Sequence, residues 1–222
     1  MAITLHSVVE QTATLLVMSS RRIAGVVAAA VFGYLAGTVP SADAAARVAR
    51  GGSVDLRSSG SNNPGALNAA RQLGTRWGVG VLVADAAKGA LAGAVGKRIL
   101  GDTGAYVAAT ASIGGHIWPV WSRFRGGKGV ATSAGACLAV FPAYFPIDAG
   151  VAAVGAVRSR NAETSVRISA VAWTLCAALW WRRGWANLWG PRPTAGLPAF
   201  AAVSSAMIVA KFASARRAAM TS

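Results

Sequence analysis

The segment 123–132, which reads RFRGGKGVAT, combines three cations with three glycines between two apolar runs. Successive glycines let backbone N–H groups form a concave anion site, and nearby arginine and lysine side chains add positive charge. A nucleotide P-loop is excluded, because that motif needs a glycine and a hydroxyl residue where this chain has Ser122 and Gly129. Two hypotheses remain: an anion-binding nest, or a flexible cationic loop that touches anionic lipids.

A second polar segment, residues 55–71, reads DLRSSGSNNPGALNAAR. Serine and asparagine at 61–63 are typical helix N-caps, and Pro64 suits a first helical position. A helix that begins there would place Asn68 and Arg71 on the same face as Pro64. The exposed N-terminus of such a helix, close to an arginine, could bind an anion. The alternative is an ordinary capped helix with solvent-exposed polar residues.

Two ionisable residues lie one helical turn apart inside an apolar run, at Asp85 and Lys88. Charges in such a segment are costly, so we expect the two to pair and to face the interior of a bundle, in a functional or a structural role. His116 follows in the next apolar run, just before Pro119. A lone histidine is more often a hydrogen-bonded structural residue than a base, which is the role we expect for it.

The composition indicates a membrane protein. Of the 222 residues, 54% are hydrophobic and 13% are charged, whereas a soluble domain usually carries about a quarter charged residues. The net charge of +15 raises nucleic acid as a partner, but the cations stand in short groups between apolar segments. Positively charged loops between membrane spans explain that spacing better, so we expect no nucleic-acid partner. Cys137 and Cys176 lie inside apolar runs without metal-ligand spacing, and we expect no metal site.

A spanning helix needs about 20 mostly apolar residues, and segments of this kind recur along the chain. We predict an all-α polytopic membrane protein with about seven transmembrane helices, the fifth being the weakest. The predicted spans are 23–42, 78–96, 103–121, 129–147, 149–157, 168–181 and 197–210. Residues 1–20 are predicted to be a poorly ordered leader, 21–217 a single transmembrane domain, and 218–222 a tail.

The distribution of cations predicts the orientation of this domain. If the N-terminus lies outside, roughly two thirds of the 22 lysines and arginines fall in loops on the inner side. The segment RFRGGKG would then face the cytoplasm, together with residues 55–71.

The polar motifs, taken together, resemble the PlsY-type acyl-phosphate:glycerol-3-phosphate acyltransferases, bacterial inner-membrane enzymes of phospholipid synthesis. The resemblance covers about residues 25–140 and rests on order, spacing and hydrophobic setting. The matching segments are GSNNPGALN at 60–68 with Arg71, D-x-x-K-G at 85–89, GHIWPV at 115–120, and RGGKGVAT at 125–132.

The resemblance implies transfer of an acyl group from acyl phosphate to the 1-hydroxyl of glycerol 3-phosphate, which yields lysophosphatidic acid and phosphate. It implies no cofactor and no metal, and membrane lipids as the remaining partners. By motif match and charge, the catalytic residues would be Ser61, Arg71 and Lys128. The substrate-binding residues would be Asn63, Asn68, Asp85, Lys88, His116, Arg125, Gly126, Gly127, Gly129, Thr132 and Arg217.

The chain departs from the family pattern near its C-terminus. A gap-free match of the last motif places Lys211 and Ser214 where the family has a histidine and an asparagine, while Arg217 matches the family's arginine. This departure leaves a second hypothesis open, namely a catalytically impaired or non-catalytic membrane homologue that binds phosphate-bearing lipid precursors.

Overall fold

The computed structural model describes residues 5–158 and 162–221 and confirms an all-helical, multi-pass membrane fold. Three stretches of this described part are long and apolar enough to cross a membrane: Met18–Arg50, Thr75–Ser122 and Gly196–Ala218. The count of seven crossings stays a prediction. The helices are α1 (Leu5–Gly37), α2 (Ser41–Arg50), α3 (Ala66–Leu73), α4 (Thr75–Ile117), α5 (Val130–Val140), α6 (Phe145–Arg158), α7 (Ala162–Arg183) and α8 (Gly196–Thr221).

Helix α4 is a hairpin of two helical halves, 75–99 and 102–117, joined at a sharp kink. Leu100 and Gly101 carry non-helical backbone angles, and the φ of +58° at Gly101 is one that glycine adopts without strain. Gly96 and Gly104 face each other across the kink so closely that a Cβ on either would overlap the backbone of the other. The second predicted span, 78–96, is therefore helical throughout, whereas the third, 103–121, is α-helical only as far as Ile117, since Trp118 and Pro119 leave the helix. The two spans are joined by a tight turn.

Two predicted spans are wrong as single helices. The first, 23–42, is interrupted because α1 ends at Gly37 and α2 begins only at Ser41, after Pro40. The fourth, 129–147, is interrupted at Phe141, whose angles of φ −140° and ψ 56° precede Pro142. Proline lacks an N–H group and disfavours a helical conformation in the residue before it, so both apolar runs break at these points.

The remaining predicted spans lie within single helices. Residues 149–157 belong to α6, 168–181 to α7 and 197–210 to α8, and each helix extends beyond its predicted bounds. Helix α1 begins at Leu5, inside the segment predicted to be a leader. The division of the chain into leader, transmembrane domain and tail remains a prediction.

Small residues allow α1, α4 and α5 to pack backbone against backbone. A Cβ on Gly33 of α1 would overlap the carbonyl of Ala108, and one on Gly115 would overlap the carbonyl of Tyr34. On the other half of α4, Gly135 of α5 meets the Ala86 carbonyl in the same way. Such close approach is typical of membrane helices, whose association depends on van der Waals packing.

Two apolar clusters complete the bundle. The larger one joins the second half of α4 with α5, α7 and α8, and includes Ile113, Phe141 and Phe200. The smaller one joins α2 and α3 to the first half of α4 around Leu56, which is fully buried. Each cluster therefore supports one of the two polar loops described below.

The contact between α4 and α5 can be tested with Gly135→Ala. The added methyl group would overlap the Ala86 backbone, and we expect a loss of about 1–3 kcal/mol in the free energy of unfolding, as is usual for overpacking. Gly80→Ala, in the partner helix α4 and with open space around its Cβ position, is the control. The measurement is thermal unfolding of both variants and the wild type in detergent. A melting temperature of Gly135→Ala equal to that of the wild type would contradict the packing argument.

Candidate active site

The first polar loop, residues 51–65 (the serine loop), is held by the buried side chain of Asn68. Its Nδ2 donates hydrogen bonds to the carbonyls of Leu56 at 3.0 Å and Ser59 at 2.9 Å. The N–H of Ser61 donates to Asn68 Oδ1 at 3.1 Å. Asn68 thus fixes the shape of the loop, and its predicted contact with substrate stays a prediction.

Helix α3 begins two residues later than predicted, at Ala66, because Gly65 is extended with φ −123° and ψ 169°. Asn68 is buried while Arg71 is exposed, so the two do not present one common polar face to solvent. The side chain of Ser61 is exposed at the loop surface and that of Asn63 is half-buried.

Arg57 connects the serine loop to two other parts of the chain. Its guanidinium donates two hydrogen bonds to the carboxylate of Asp43 on α2, one of them 3.0 Å from Nη2 to Oδ2. Its Nε donates to the carbonyl of Arg125 at 2.8 Å. A bidentate arginine–carboxylate pair is among the stronger polar contacts in proteins. Arg57 therefore joins α2, the serine loop and the segment 123–129 (the glycine loop).

The predicted ion pair between Asp85 and Lys88 is present and buried, with Lys88 Nζ 2.9 Å from Asp85 Oδ1. Lys88 also donates to the Val39 carbonyl at 3.1 Å, in the break between α1 and α2. Ser41 Oγ donates to the same Asp85 oxygen at 2.6 Å. His116 Nδ1 lies 3.6 Å from that oxygen. This Asp85 cluster thus gathers polar groups from α2, both halves of α4 and the α1–α2 break.

The glycine loop folds back onto the end of α4. The N–H of Gly126 donates to the Ile117 carbonyl and that of Gly127 to the His116 carbonyl, each at 3.1 Å. A Cβ on Gly127 would overlap the imidazole of His116. The expected anion nest is therefore not formed by these two N–H groups, since both already have carbonyl partners. Their glycines serve instead to let the loop lie flat against His116.

An N–H-rich site does remain at the start of α5. Gly129, with φ +83°, is the N-cap residue, and the first N–H groups of a helix have no acceptor within it. Thr132, one turn into α5, is fully buried, and its Oγ1 has no hydrogen-bond partner among the described residues. This helix start, next to Lys128, is where an anion would be stabilised.

Helix α8 reaches the glycine loop through Lys128, whose Nζ lies 4.3 Å from the centroid of the Phe212 ring. Burial lowers the pKa of Lys128, and the charge of Glu163 on α7 opposes that shift. Lys211, at the position that matches the family's histidine, precedes Phe212 on α8 and is half-buried. Arg217, farther along α8, is exposed, as is Arg125.

A cavity of about 110 Å³ lies between the Asp85 cluster and the two loops. Five predicted site residues line it: Asp85, Lys88, His116, Gly126 and Gly127. The remaining predicted residues are not among the residues that line this cavity. They are Ser61, Asn63, Asn68, Arg71, Arg125, Lys128, Gly129, Thr132 and Arg217.

Three residues of this site, Ser41, Asp43 and Arg57, were not predicted, although all of them line the cavity. Their partners lie 14 to 68 positions away in the chain, so local spacing carries no signal for them. The sequence indicates the pairing of Asp43 with Arg57 only through their opposite charges, which stand at the two ends of a polar region.

The fold and the site together define a helical integral membrane protein with a buried ion pair beside a cavity between two polar loops. A family model described as glycerol-3-phosphate acyltransferase matches residues 27–221. The enzyme of that name from Thermoanaerobacter sp. (strain X514) is 35% identical over 152 residues, which is 68% of this chain and 76% of the relative. One from Anaeromyxobacter dehalogenans (strain 2CP-1 / ATCC BAA-258) is 41% identical over 165 residues, 72% of this chain and 77% of the relative.

Solved structures are similar as well. Crystal structures of PlsY (YgiH), an integral membrane glycerol 3-phosphate acyltransferase, match with a TM-score of 0.70 and cover 88% of this chain and 92% of theirs. The glycerol 3-phosphate form is 27% identical and the lysophosphatidic acid form 25% identical. This chain belongs to the glycerol-3-phosphate acyltransferase family.

The link between the two loops can be tested with Arg57→Gln. Loss of the Asp43 and Arg125 contacts should loosen the glycine loop, and we expect amide hydrogen exchange at residues 126 and 127 to rise about tenfold, as for loss of one charged hydrogen bond. Asp43→Asn should give a smaller rise, because the bond from Arg57 to Arg125 remains. Arg50→Gln, at an exposed position of α2, is the control. Equal exchange in Arg57→Gln and wild type would show that the link is not needed.

Proposed function

We propose that this protein transfers an acyl group from acyl phosphate to the 1-hydroxyl of glycerol 3-phosphate, giving lysophosphatidic acid and inorganic phosphate. It is an acyltransferase, as its family and its similarity to PlsY support. We place it in the cytoplasmic (inner) membrane of a bacterium, with the N-terminus outside and both loops facing the cytoplasm. The excess of cations on that side supports this orientation.

The observation that carries the proposal is the convergence of the two loops on one buried polar cluster. Arg57 holds the serine loop and the glycine loop together, and Gly127 lies against His116 of the Asp85 cluster. Five of the chain positions that resemble the family's motifs line one cavity, which supports a common site for the two loops.

The charge of this end fits the substrates. Glycerol 3-phosphate, acyl phosphate and the released phosphate are all anions, and cationic side chains together with helix N-terminal N–H groups stabilise developing negative charge. Arg71 and Lys128 supply such cations, one beside each loop. The start of α5 supplies the N–H groups. We therefore assign the acyl phosphate to Lys128, Gly129 and Thr132, and the phosphate of glycerol 3-phosphate to Ser61 and Arg71.

The reaction itself requires little from the protein beyond positioning. An acyl phosphate is a mixed anhydride, so its carbonyl carbon is already activated. The 1-hydroxyl oxygen forms the new C–O bond, the bond from the acyl carbon to the phosphate oxygen breaks, and the hydroxyl proton passes to a phosphate, whose second pKa is about 6. Asn63 would orient substrate hydroxyls. Arg125 and Arg217, which are exposed, would add positive charge at the edge of the substrate site.

The Asp85 cluster acts as support in this proposal. The charge of Asp85 is compensated by Lys88, and its remaining contacts to Ser41 and His116 hold the α1–α2 break and the end of α4 in place. His116 in turn forms the surface on which the glycine loop lies. These residues shape the inner wall of the substrate space.

The function is tested with the purified protein in detergent, given an acyl phosphate and glycerol 3-phosphate. We expect release of phosphate that depends on glycerol 3-phosphate, with lysophosphatidic acid detected by mass spectrometry. Ser61→Ala, Arg71→Gln and Lys128→Gln should each lower the rate by about a hundredfold, as for loss of one group that stabilises the transition state. Arg47→Gln removes an equal charge from an exposed position of α2 and should leave the rate unchanged.

The same assay decides the alternative. A folded wild-type protein that binds glycerol 3-phosphate but releases no phosphate would be a non-catalytic homologue, as the replacements at Lys211 and Ser214 first suggested. Full activity in Ser61→Ala and Arg71→Gln would instead remove those two residues from the site.

A further inference from the structure

A second cavity, of about 380 Å³, lies between α1 and the kink of α4. Six residues line it: Arg22, Ile23, Val26, Val27, Leu100 and Thr103. We call this space the kink groove. All of its residues except the half-buried Leu100 are exposed, so the groove opens onto the surface of the bundle. Its volume falls within the range of roughly 300–1,000 Å³ that is usual for small-molecule sites.

The kink groove is formed by one face of α1 and by the turn within α4. Residues 22, 23, 26 and 27 are two pairs with a spacing of four, and such pairs share a face of a helix. Leu100 reaches this face from the kink, since a Cβ on Gly25 would lie only 2.8 Å from Leu100 Cδ1. Thr103 follows in the second half of α4. The groove is therefore mostly aliphatic, with one guanidinium and one hydroxyl group.

The kink groove is well separated from the cavity between the two polar loops. Gly37, which lines that cavity, lies 15 positions after Arg22 on the same continuous helix. At 1.5 Å per residue the separation along α1 is about 22 Å. The hydrocarbon core of a bilayer is about 30 Å thick, so the groove and the polar loops lie toward opposite faces of the membrane. Arg22, which directly precedes an apolar run, is thereby placed near the headgroups of the opposite leaflet.

The polar groups of the kink groove have no partners within the protein. Neither the guanidinium of Arg22 nor the hydroxyl of Thr103 forms a hydrogen bond or an ion pair with any residue that the structure describes. The surroundings are cationic as well. Residues 18–30 and 90–104 contain a single acidic residue, the half-buried Asp102, against four exposed cations: Arg21, Arg22, Lys97 and Arg98.

We propose that the kink groove binds an anionic phospholipid from the leaflet opposite to the active-site loops. The phosphate of the lipid contacts Arg22 and Thr103, and the upper part of one acyl chain lies against the aliphatic side chains of the groove. A lipid bound in this way bridges α1 and the kink of α4. The inference is independent of the proposed acyl transfer, because no residue of the groove belongs to the proposed active site.

The charge around the groove selects the kind of lipid. The headgroups of phosphatidylcholine and phosphatidylethanolamine carry a cation next to the phosphate, and the four cations of this region would repel it. An anionic headgroup such as that of phosphatidylglycerol carries no such cation and is attracted by lysine and arginine side chains. The aliphatic wall distinguishes this site from an arginine that only extends toward the headgroups. Arg183, in the last turn of α7, is an exposed cation of the latter kind, since it does not line the groove.

The first experiment titrates the purified full-length protein in detergent with phosphatidylglycerol, and separately with phosphatidylcholine of the same acyl chains. Native mass spectrometry gives a dissociation constant for each lipid. We expect phosphatidylglycerol to bind the wild type more tightly than phosphatidylcholine. Arg22→Gln should weaken the binding of phosphatidylglycerol by about fivefold, as for removal of one cation from an anionic lipid surface.

Two control variants separate the groove from the general surface of the bundle. Arg183→Gln removes an exposed cation outside the groove and should leave the binding of phosphatidylglycerol unchanged. Val26→Trp fills the aliphatic part of the groove and should weaken that binding, whereas Val31→Trp, at an exposed position of α1 beyond the groove, should not. All four side chains are exposed, so we expect each variant to fold.

Thermal unfolding of the same samples provides a second measurement. Phosphatidylglycerol should raise the melting temperature of the wild type, because a ligand of the folded state stabilises it, and should raise those of Arg22→Gln and Val26→Trp by less. Equal binding of the two lipids by the wild type would overturn the proposal. So would an unchanged preference for phosphatidylglycerol in Arg22→Gln, a loss in Arg183→Gln as large as that in Arg22→Gln, or wild-type binding in Val26→Trp.

Discussion

The buried ion pair of Asp85 and Lys88 is the constraint on which the rest of the site depends. Two charges inside an apolar bundle are tolerated only if further polar groups surround them. The structure supplies these from the Val39 carbonyl, Ser41 and His116, and each comes from a different part of the fold. The break between α1 and α2 is consequently fixed against α4. His116 is fixed at the end of α4, and the glycine loop lies on His116.

Features that depend on local spacing could be predicted from the sequence. The all-helical membrane fold follows from the apolar runs, and the pairing of Asp85 with Lys88 follows from their separation by one helical turn. The helix breaks at Pro40 and Pro142 were missed, because hydropathy is continuous across both prolines. The residues themselves held the signal, since a proline removes a backbone donor and restricts the residue before it.

Features that depend on tertiary structure could not be predicted. The contacts of Arg57 with Asp43 and Arg125 join residues on three separate elements, and those of Glu163 with Arg216 join two helices. The fold of the glycine loop likewise depends on tertiary structure. Its glycine pattern is compatible with free N–H groups, but the carbonyls of Ile117 and His116 accept two of them only because α4 ends beside the loop. Asn68 likewise donates to carbonyl groups of the loop that precedes it, and the spacing of the sequence could not identify which carbonyls these are.

The glycine contacts among α1, α4 and α5 also bear on where a hydrocarbon chain can lie. Backbone touches backbone at these crossings, so no layer of side chains is present there that a long acyl tail could displace. The tail of a lipid substrate would then have to pass beside these crossings and not between the helices there. At these three crossings, therefore, the depth of a pocket between the helices cannot set the length of the acyl chain.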